Sequence, residues 1–168
     1  DTHTLVMIDS CLDSNYAQII NELCPEIAKT RAGEPLHCKR LPFLRNVITV
    51  GFKQPGCLTF DEAMARYELV SRERVAQMAA AVRPDDVCNM QYTSGTTGFP
   101  KGVMLTHYNV VNNGKCIGDR MGLSTADRMM IQVPMFHCFG MTLSMTSSMT
   151  HGATMCPMPY FSATSSLA

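Results

Sequence analysis

The chain has 168 residues, enough for one domain with a hydrophobic core. Hydrophobic residues make up 46% and charged residues 17%, which excludes a disordered chain, and 14 Lys+Arg balance 14 Asp+Glu, which leaves no electrostatic footprint for nucleic acid or an anionic membrane. No apolar run approaches the roughly 20 residues of a membrane span, and the N-terminal "DTHTLVMIDS" lacks the basic start of a signal peptide.

In chain order, "LVMI" (5–8) reads as a buried strand. "NYAQIINELCPEIAK" follows with near-helical apolar spacing at Ala17, Ile19, Ile20, Leu23 and Ile27, and Pro25 should kink it or end it. "RAGEPLHCKRLP" is a loop, and "FLRNVITVG" a second strand rich in β-branched residues. "KQPGCLT" reads as a turn, and "TFDEAMARY" as a short helix with Thr59 as N-cap and Glu62 in the capping-box position. "SRERVAQMAAAV" is a clearer helix, opened by Ser71 and stopped before Pro84.

"VCNMQYT" is then a strand running into a Gly/Ser/Thr loop, and "GVMLTH" a second extended run, as in a β-hairpin. Thr106 caps a helix through "HYNVVNNGKCIGDR", where Asn112, Asn113 and Gly114 are poor helix formers. "RMMIQVPM" is a strand, "CFGMTLSMTSSMTHG" a helix and "ATMCPMP" another strand. Met141, Met145 and Met149, four residues apart, would share one helix face, as core or as a pliable wall beside an acyl tunnel. "YFSATSSLA" starts a helix, with Ser162 or Ser165 as cap, that is barely begun, as in a piece of a longer chain. Strands alternating with helices predict an α/β fold, layered αβα with a mostly parallel sheet.

Eight cysteines are scattered with no C-x-x-C, which argues against a zinc site. Apolar flanks, as at Cys88 and Cys156, predict buried thiols in a reducing cytoplasm.

The segment "YTSGTTGFPKG" (92–102) carries the chemistry. Its glycines let backbone N–H groups approach an anion, Thr93, Ser94, Thr96 and Thr97 add hydroxyls, and Lys101 adds a compact positive charge. The spacing fits neither a Walker A loop nor the dinucleotide G-x-G-x-x-G. Composition alone leaves an anion-binding loop and an ordered Ser/Gly hairpin turn both open.

The longer string "YTSGTTGFPKGVMLTHYN" (92–109) resembles the signature of the adenylate-forming (AMP-binding) family: acyl-CoA synthetases, luciferases and peptide-synthetase adenylation domains. Every fixed position of that signature is matched. The resemblance implies that Thr93, Ser94, Gly95, Thr96, Thr97, Gly98 and Lys101 contact the phosphates of ATP, with Lys101 the one residue with a possible catalytic part. Downstream, "VPMFHCFGM" (133–141) looks like the family's Pro-x-Phe-His element, which makes His137 the candidate for the carboxylate pocket. The plain alternative is a core or capping histidine. "FHCFG" resembles acyl-CoA synthetases more than amino-acid-activating domains.

The resemblance further implies that the whole chain is one partial domain of the N-terminal AMP-binding region, without the C-terminal domain. The parent enzyme would join a carboxylic acid to ATP, release pyrophosphate, and pass the acyl group from the adenylate to coenzyme A. ATP would sit on this piece, with Mg²⁺ and CoA held mainly elsewhere in the parent, and no protein metal ligand is expected here. The expected partners are a small-molecule carboxylate, a nucleotide and the remainder of the parent chain, with a homodimer through exposed apolar surface also possible. The isolated chain is expected not to complete adenylation. The rival readings are an adenylation domain feeding a carrier protein, a non-catalytic nucleotide-binding module, and an interaction domain whose loop binds nothing.

Overall fold

A computed structural model describes residues 2–93 and 98–167, and the chain divides into two compact units, Asp1–Met78 and Ala79–Ala168. In the first unit the apolar run forms β1 (Thr4–Met7), followed by a small antiparallel pair, β2 (Ser10–Cys11) and β3 (Ser14–Asn15). Helix α1 (Tyr16–Leu23) begins where the Asn15 side chain accepts the Gln18 N–H at 2.8 Å. It ends at Cys24, one residue before Pro25, because proline has no N–H to continue the ladder. A single 3-10 turn, Pro25–Lys29, carries the chain onward.

β4 (Asn46–Thr49) pairs parallel with β1, Leu5 opposite Val47 and Val6 opposite Ile48. The two-residue β5 (Leu58–Thr59) pairs parallel with β4, where the sequence reads only as a turn. Thr59 then opens α2 (Phe60–Met64) with the expected capping box: its hydroxyl accepts the Glu62 N–H at 3.2 Å, and its own N–H donates to the Glu62 carboxylate at 2.8 Å. Ser71 opens α3 (Arg72–Ala81) by accepting the Arg74 N–H at 3.1 Å. The core of this unit is Met7, Ile20, Cys24, Ile27, Leu36, Cys38, Leu44, Val47 and Cys57.

The cysteines divide in a way their flanks do not foretell. Cys24, Cys38 and Cys57 are buried, whereas Cys11, Cys88, Cys116, Cys138 and Cys156 are exposed, and all eight are free. Burial pushes the Cys24 thiol up to about 12, with the neighbouring Cys38 and Glu26 adding to the shift.

The second unit opens with the predicted hairpin, β6 (Val87–Thr93) antiparallel to β7 (Lys101–Thr106). Thr106 both ends β7 and caps α4 (His107–Met121): its hydroxyl accepts the Asn109 N–H at 3.2 Å and its N–H donates to the Asn109 side chain at 3.1 Å. β8 (Arg128–Ile131) leads through an irregular stretch into a π-helix, Phe139–Thr146, continued by α5 (Ser147–His151). β9 (Thr154–Pro157) returns parallel to β8, and Ser162 precedes a last short helix, α6 (Ala163–Leu167), its hydroxyl accepting the Ser165 N–H at 3.2 Å. Among the described residues three strand pairs are parallel and two antiparallel, an α/β fold with a largely parallel arrangement.

Two features of this unit differ from the helical reading. The wider π turn breaks the spacing of four, so Met141 is buried while Met149 is 64% exposed. Thr142, Ser144, Thr146, Ser147 and Ser148 are buried instead. Their burial is tolerable because hydroxyls donate to carbonyls of the same segment: Thr146 to Met141 at 2.8 Å, Ser148 to Ser144 at 2.7 Å, and Ser147 to Leu143. Gly114 and Gly118 do not break α4, because they face this segment. A Cβ on Gly114 would stand 2.6 Å from Thr146 Cγ2, and one on Gly118 would overlap the His151 ring. The cost in helix propensity is exchanged for close helix packing.

Candidate functional site

The hairpin sets the root of the loop. Thr93 and Lys101 face each other as the last cross-strand pair, and both are exposed. Behind them Tyr92 lies opposite Gly102, where a Cβ would stand 3.3 Å from the tyrosine ring, so the glycine gives the aromatic room to lie across the ribbon. Gly98 has φ 83°, the left-handed conformation that glycine adopts without a Cβ penalty, and it turns the chain into Phe99, Pro100 and Lys101. Of the seven sequence-predicted phosphate contacts, Thr93, Gly98 and Lys101 therefore gather at the hairpin end. Ser94, Gly95, Thr96 and Thr97 lie outside the described residues.

His137 stands in a second, separately built turn. Its N–H donates to the Pro134 carbonyl at 3.1 Å, and its carbonyl accepts the Met141 N–H at 2.9 Å. The ring Nδ1 accepts the Phe139 N–H at 3.1 Å. The ring thus meets a backbone N–H at the start of the helical segment, one residue before its N-cap Cys138, and with Nδ1 accepting, a neutral ring carries its proton on Nε2. The ring is exposed, so capping does not consume the Nε2 end. Gly140 holds this turn closed: a Cβ there would overlap the Pro134 carbonyl and stand 2.8 Å from Met135 Cα.

A groove of about 440 Å³ that the sequence does not announce opens beside this turn. Leu105, Val110 and Ile117 line it from the end of β7 and from α4; Phe139, Thr142 and Leu143 line it from the π-helix. The only signal in the sequence is the spacing of Val110, Asn113 and Ile117, which puts three lining residues on one face of α4.

The far end of α4 is tied to α5 through the Asp119 carboxylate and the His151 ring. Asp119 accepts from Lys115 Nζ at 2.9 Å and stands 3.1 Å from His151 Nε2, while His151 Nδ1 lies 2.9 Å from the Ser147 carbonyl. Hydrogen bonds from Lys115, then from His151, hold the Asp119 carboxyl below the usual aspartate range.

The loop's donor set suits an anion rather than a cation. Residues 92–102 contain one ammonium group and several hydroxyls but no carboxylate, so nothing in the segment repels phosphate oxygens, and it offers a cation no charged ligand.

Comparison with known proteins agrees with this geometry. The family model described as AMP-binding enzyme matches residues 17–168. The chain is 41% identical over 162 residues to YngI of Bacillus subtilis (strain 168), a protein assigned as an acyl-CoA synthetase; the match covers 96% of this chain and 29% of that protein. It is 38% identical over 147 residues to the mitochondrial medium-chain acyl-CoA ligase ACSF2 of Bos taurus, covering 83% of this chain and 23% of the relative. Among solved structures it resembles the anthranilate CoA ligase AuaEII in complex with anthranoyl-AMP, with a TM-score of 0.67 and 23% identity, over 96% of this chain and 26% of that one. The class is an α/β adenylate-forming fold, and the chain belongs to the AMP-binding enzyme family. It spans less than a third of the length of the relatives it matches.

Proposed function

We propose that the chain is the ATP-phosphate-binding part of an acyl-CoA synthetase, which converts a carboxylic acid and ATP to an acyl-adenylate and pyrophosphate and then transfers the acyl group to coenzyme A. The observation that carries the reading is the hairpin whose open end presents Thr93, Gly98 and Lys101 within a complete family signature. Lys101 and the loop hydroxyls hold the phosphate oxygens, with Ser94, Gly95, Thr96 and Thr97 assigned to the same task. Bringing a carboxylate against a triphosphate sets like charges together, so positive charge and fixed donors lower the barrier more than any covalent step by the protein. Magnesium bound with ATP would supply further charge neutralisation, held mainly by ligands outside this chain. His137 is assigned to the carboxylate side, where its Nε2 end offers a donor, and the groove lined by Phe139 and Leu143 to the acyl group.

The exposed apolar side chains of the hairpin, among them Val87, Met90 and Met104, support the reading that the remainder of a longer chain covers this piece. The 168-residue chain alone should therefore not complete adenylation. The test is to incubate the full-length protein with ATP, Mg²⁺ and hydroxylamine against a panel of carboxylic acids and to measure hydroxamate. Hydroxamate confined to some acids supports the synthetase and names its substrate class. None with any acid would reject this reading in favour of a nucleotide-binding module.

A further inference from the structure

The geometry points to a second site, within the first unit: Cys24, Glu26 and Cys38 form a binding site for one thiophilic divalent cation such as zinc. Their ligand atoms, two thiol sulfurs and a carboxylate oxygen, all lie within 4.8 Å of one another. Cys24 is fully buried and Cys38 is 3% exposed. Two pieces of backbone bring them together: Cys24, which ends α1, and Glu26, on the 3-10 turn that Pro25 opens, share one stretch, and Cys38 comes from the loop before β4.

A pair of ordinary core thiols does not account for the carboxylate. Glu26 Oε1 accepts the Lys39 N–H at 3.4 Å, but Oε2 is enclosed and has no hydrogen-bond partner. Leaving such an atom unmatched is costly in a native core, and an ion between it and the two sulfurs would remove the deficit. The sulfurs have fitting surroundings. Cys38 Sγ accepts the Leu41 N–H at 3.3 Å, a contact that favours thiolate charge, while its S–H donates to the Leu23 carbonyl at 3.5 Å, a weak bond that the metal–sulfur bond would replace. Two sulfurs and one oxygen make three of the four ligands of a tetrahedral zinc ion, leaving the fourth position to water. Sulfur ligands also select against magnesium and calcium. On binding, each thiol gives its proton to solvent and two metal–sulfur bonds form, with no change in oxidation state. The missing C-x-x-C is no objection, because proximity here comes from the turn at Pro25 and not from a local cysteine pair.

The experiment uses the full-length protein, reduced with a phosphine, freed of metal, and titrated with Co²⁺ without oxygen. A single equivalent should give sulfur-to-cobalt charge-transfer absorption with the visible bands of a tetrahedral ion. Cys38→Ser should lose the charge-transfer band, and Glu26→Gln, an isosteric change that leaves both thiols in place, should weaken Zn²⁺ binding about tenfold in a competition titration. Zn²⁺ should raise the melting temperature of the unaltered protein and not that of Cys38→Ser. Absence of the band would overturn the proposal. So would a band of full strength in both Cys24→Ser and Cys38→Ser, or Zn²⁺ affinity unchanged in Glu26→Gln. A Cys24–Cys38 disulfide that resists the phosphine would overturn it equally.

Discussion

Nδ1 of His137 accepts the backbone N–H of Phe139, so one ring nitrogen is committed to starting a helix while the other faces outward. This relationship separates two roles of one residue. His137→Asn can still supply an acceptor to the helix start and should keep stability, whereas His137→Ala should lose about 1 kcal/mol. If Nε2 also serves the carboxylate pocket, both variants should lose activity together. Denaturant unfolding and the hydroxamate assay on the same two proteins read the roles apart.

Gly140→Ala should be the most damaging small substitution in this turn. The added methyl meets the backbone of Pro134 and Met135, which cannot swing away as a side-chain tip can. Overpacking of this kind costs about 3 kcal/mol, visible as a lower denaturant midpoint at unchanged slope.

In α4 the sign of a substitution is the test. Glycine to alanine in an exposed helix stabilises by about 1 kcal/mol, and Cys116→Ala, on the exposed face, should be near neutral. Gly114→Ala should instead destabilise by about 1–3 kcal/mol, because its methyl meets the buried, β-branched Thr146. Gly118→Ala should push the His151 ring off Asp119, which is measurable as a partial loss of the Asp119 contribution below, Lys115 keeping the larger part.

The acid limb of stability should depend on Asp119. Its carboxyl lies below the ordinary 3.8 in the folded chain, so the unfolded chain binds its proton first as pH falls. The stabilisation is therefore present above the unfolded value and is lost as pH drops through the folded one. Asp119→Asn should flatten this part of the pH profile of the melting temperature and leave its shape near neutrality unchanged. A steep acid limb that persists in the variant would assign it to the other carboxylates held low by hydrogen bonds, Asp127, Glu62, Glu26 and Glu73.

Lys101→Ala should cut adenylate formation on the order of 100-fold, as loss of a donor aimed at developing charge does. The side chain is exposed, so the melting temperature without ligand should scarcely move. Equal activity in Lys101→Ala would remove the lysine from the phosphate site.

The features legible in the sequence are those decided by neighbours along the chain. The capping boxes at Thr59 and Thr106, the stop before Pro25, and the hairpin flanking the glycine-rich loop all depend on residues a few positions apart. β5 escaped notice because two residues carry no period, and it exists only through pairing with β4. The methionine spacing misled because it assumes 3.6 residues per turn, and the π-helix does not have them. Gly114 looked like a helix breaker because its compensation, Thr146, comes from a distant segment. At the site the same division holds. The signature string identified the loop, and a capping histidine is one of the two readings the sequence leaves for His137, while the groove beside Phe139 came only from packing.

The position of Thr106 has a consequence for how an anion is held. It closes β7 and starts α4 at once, so the whole length of β7 stands between Lys101 and the first amides of the helix. At the strand's ordinary rise that is about 17 Å, roughly twice the distance over which physiological salt screens a charge. In nucleotide folds where a helix follows the loop directly, the helix dipole attracts the phosphates. Here it is too far away to do so. The part of the hold that this hairpin supplies rests on the loop's own amides, hydroxyls and a single ammonium, and added salt should weaken that part in proportion to one protein charge.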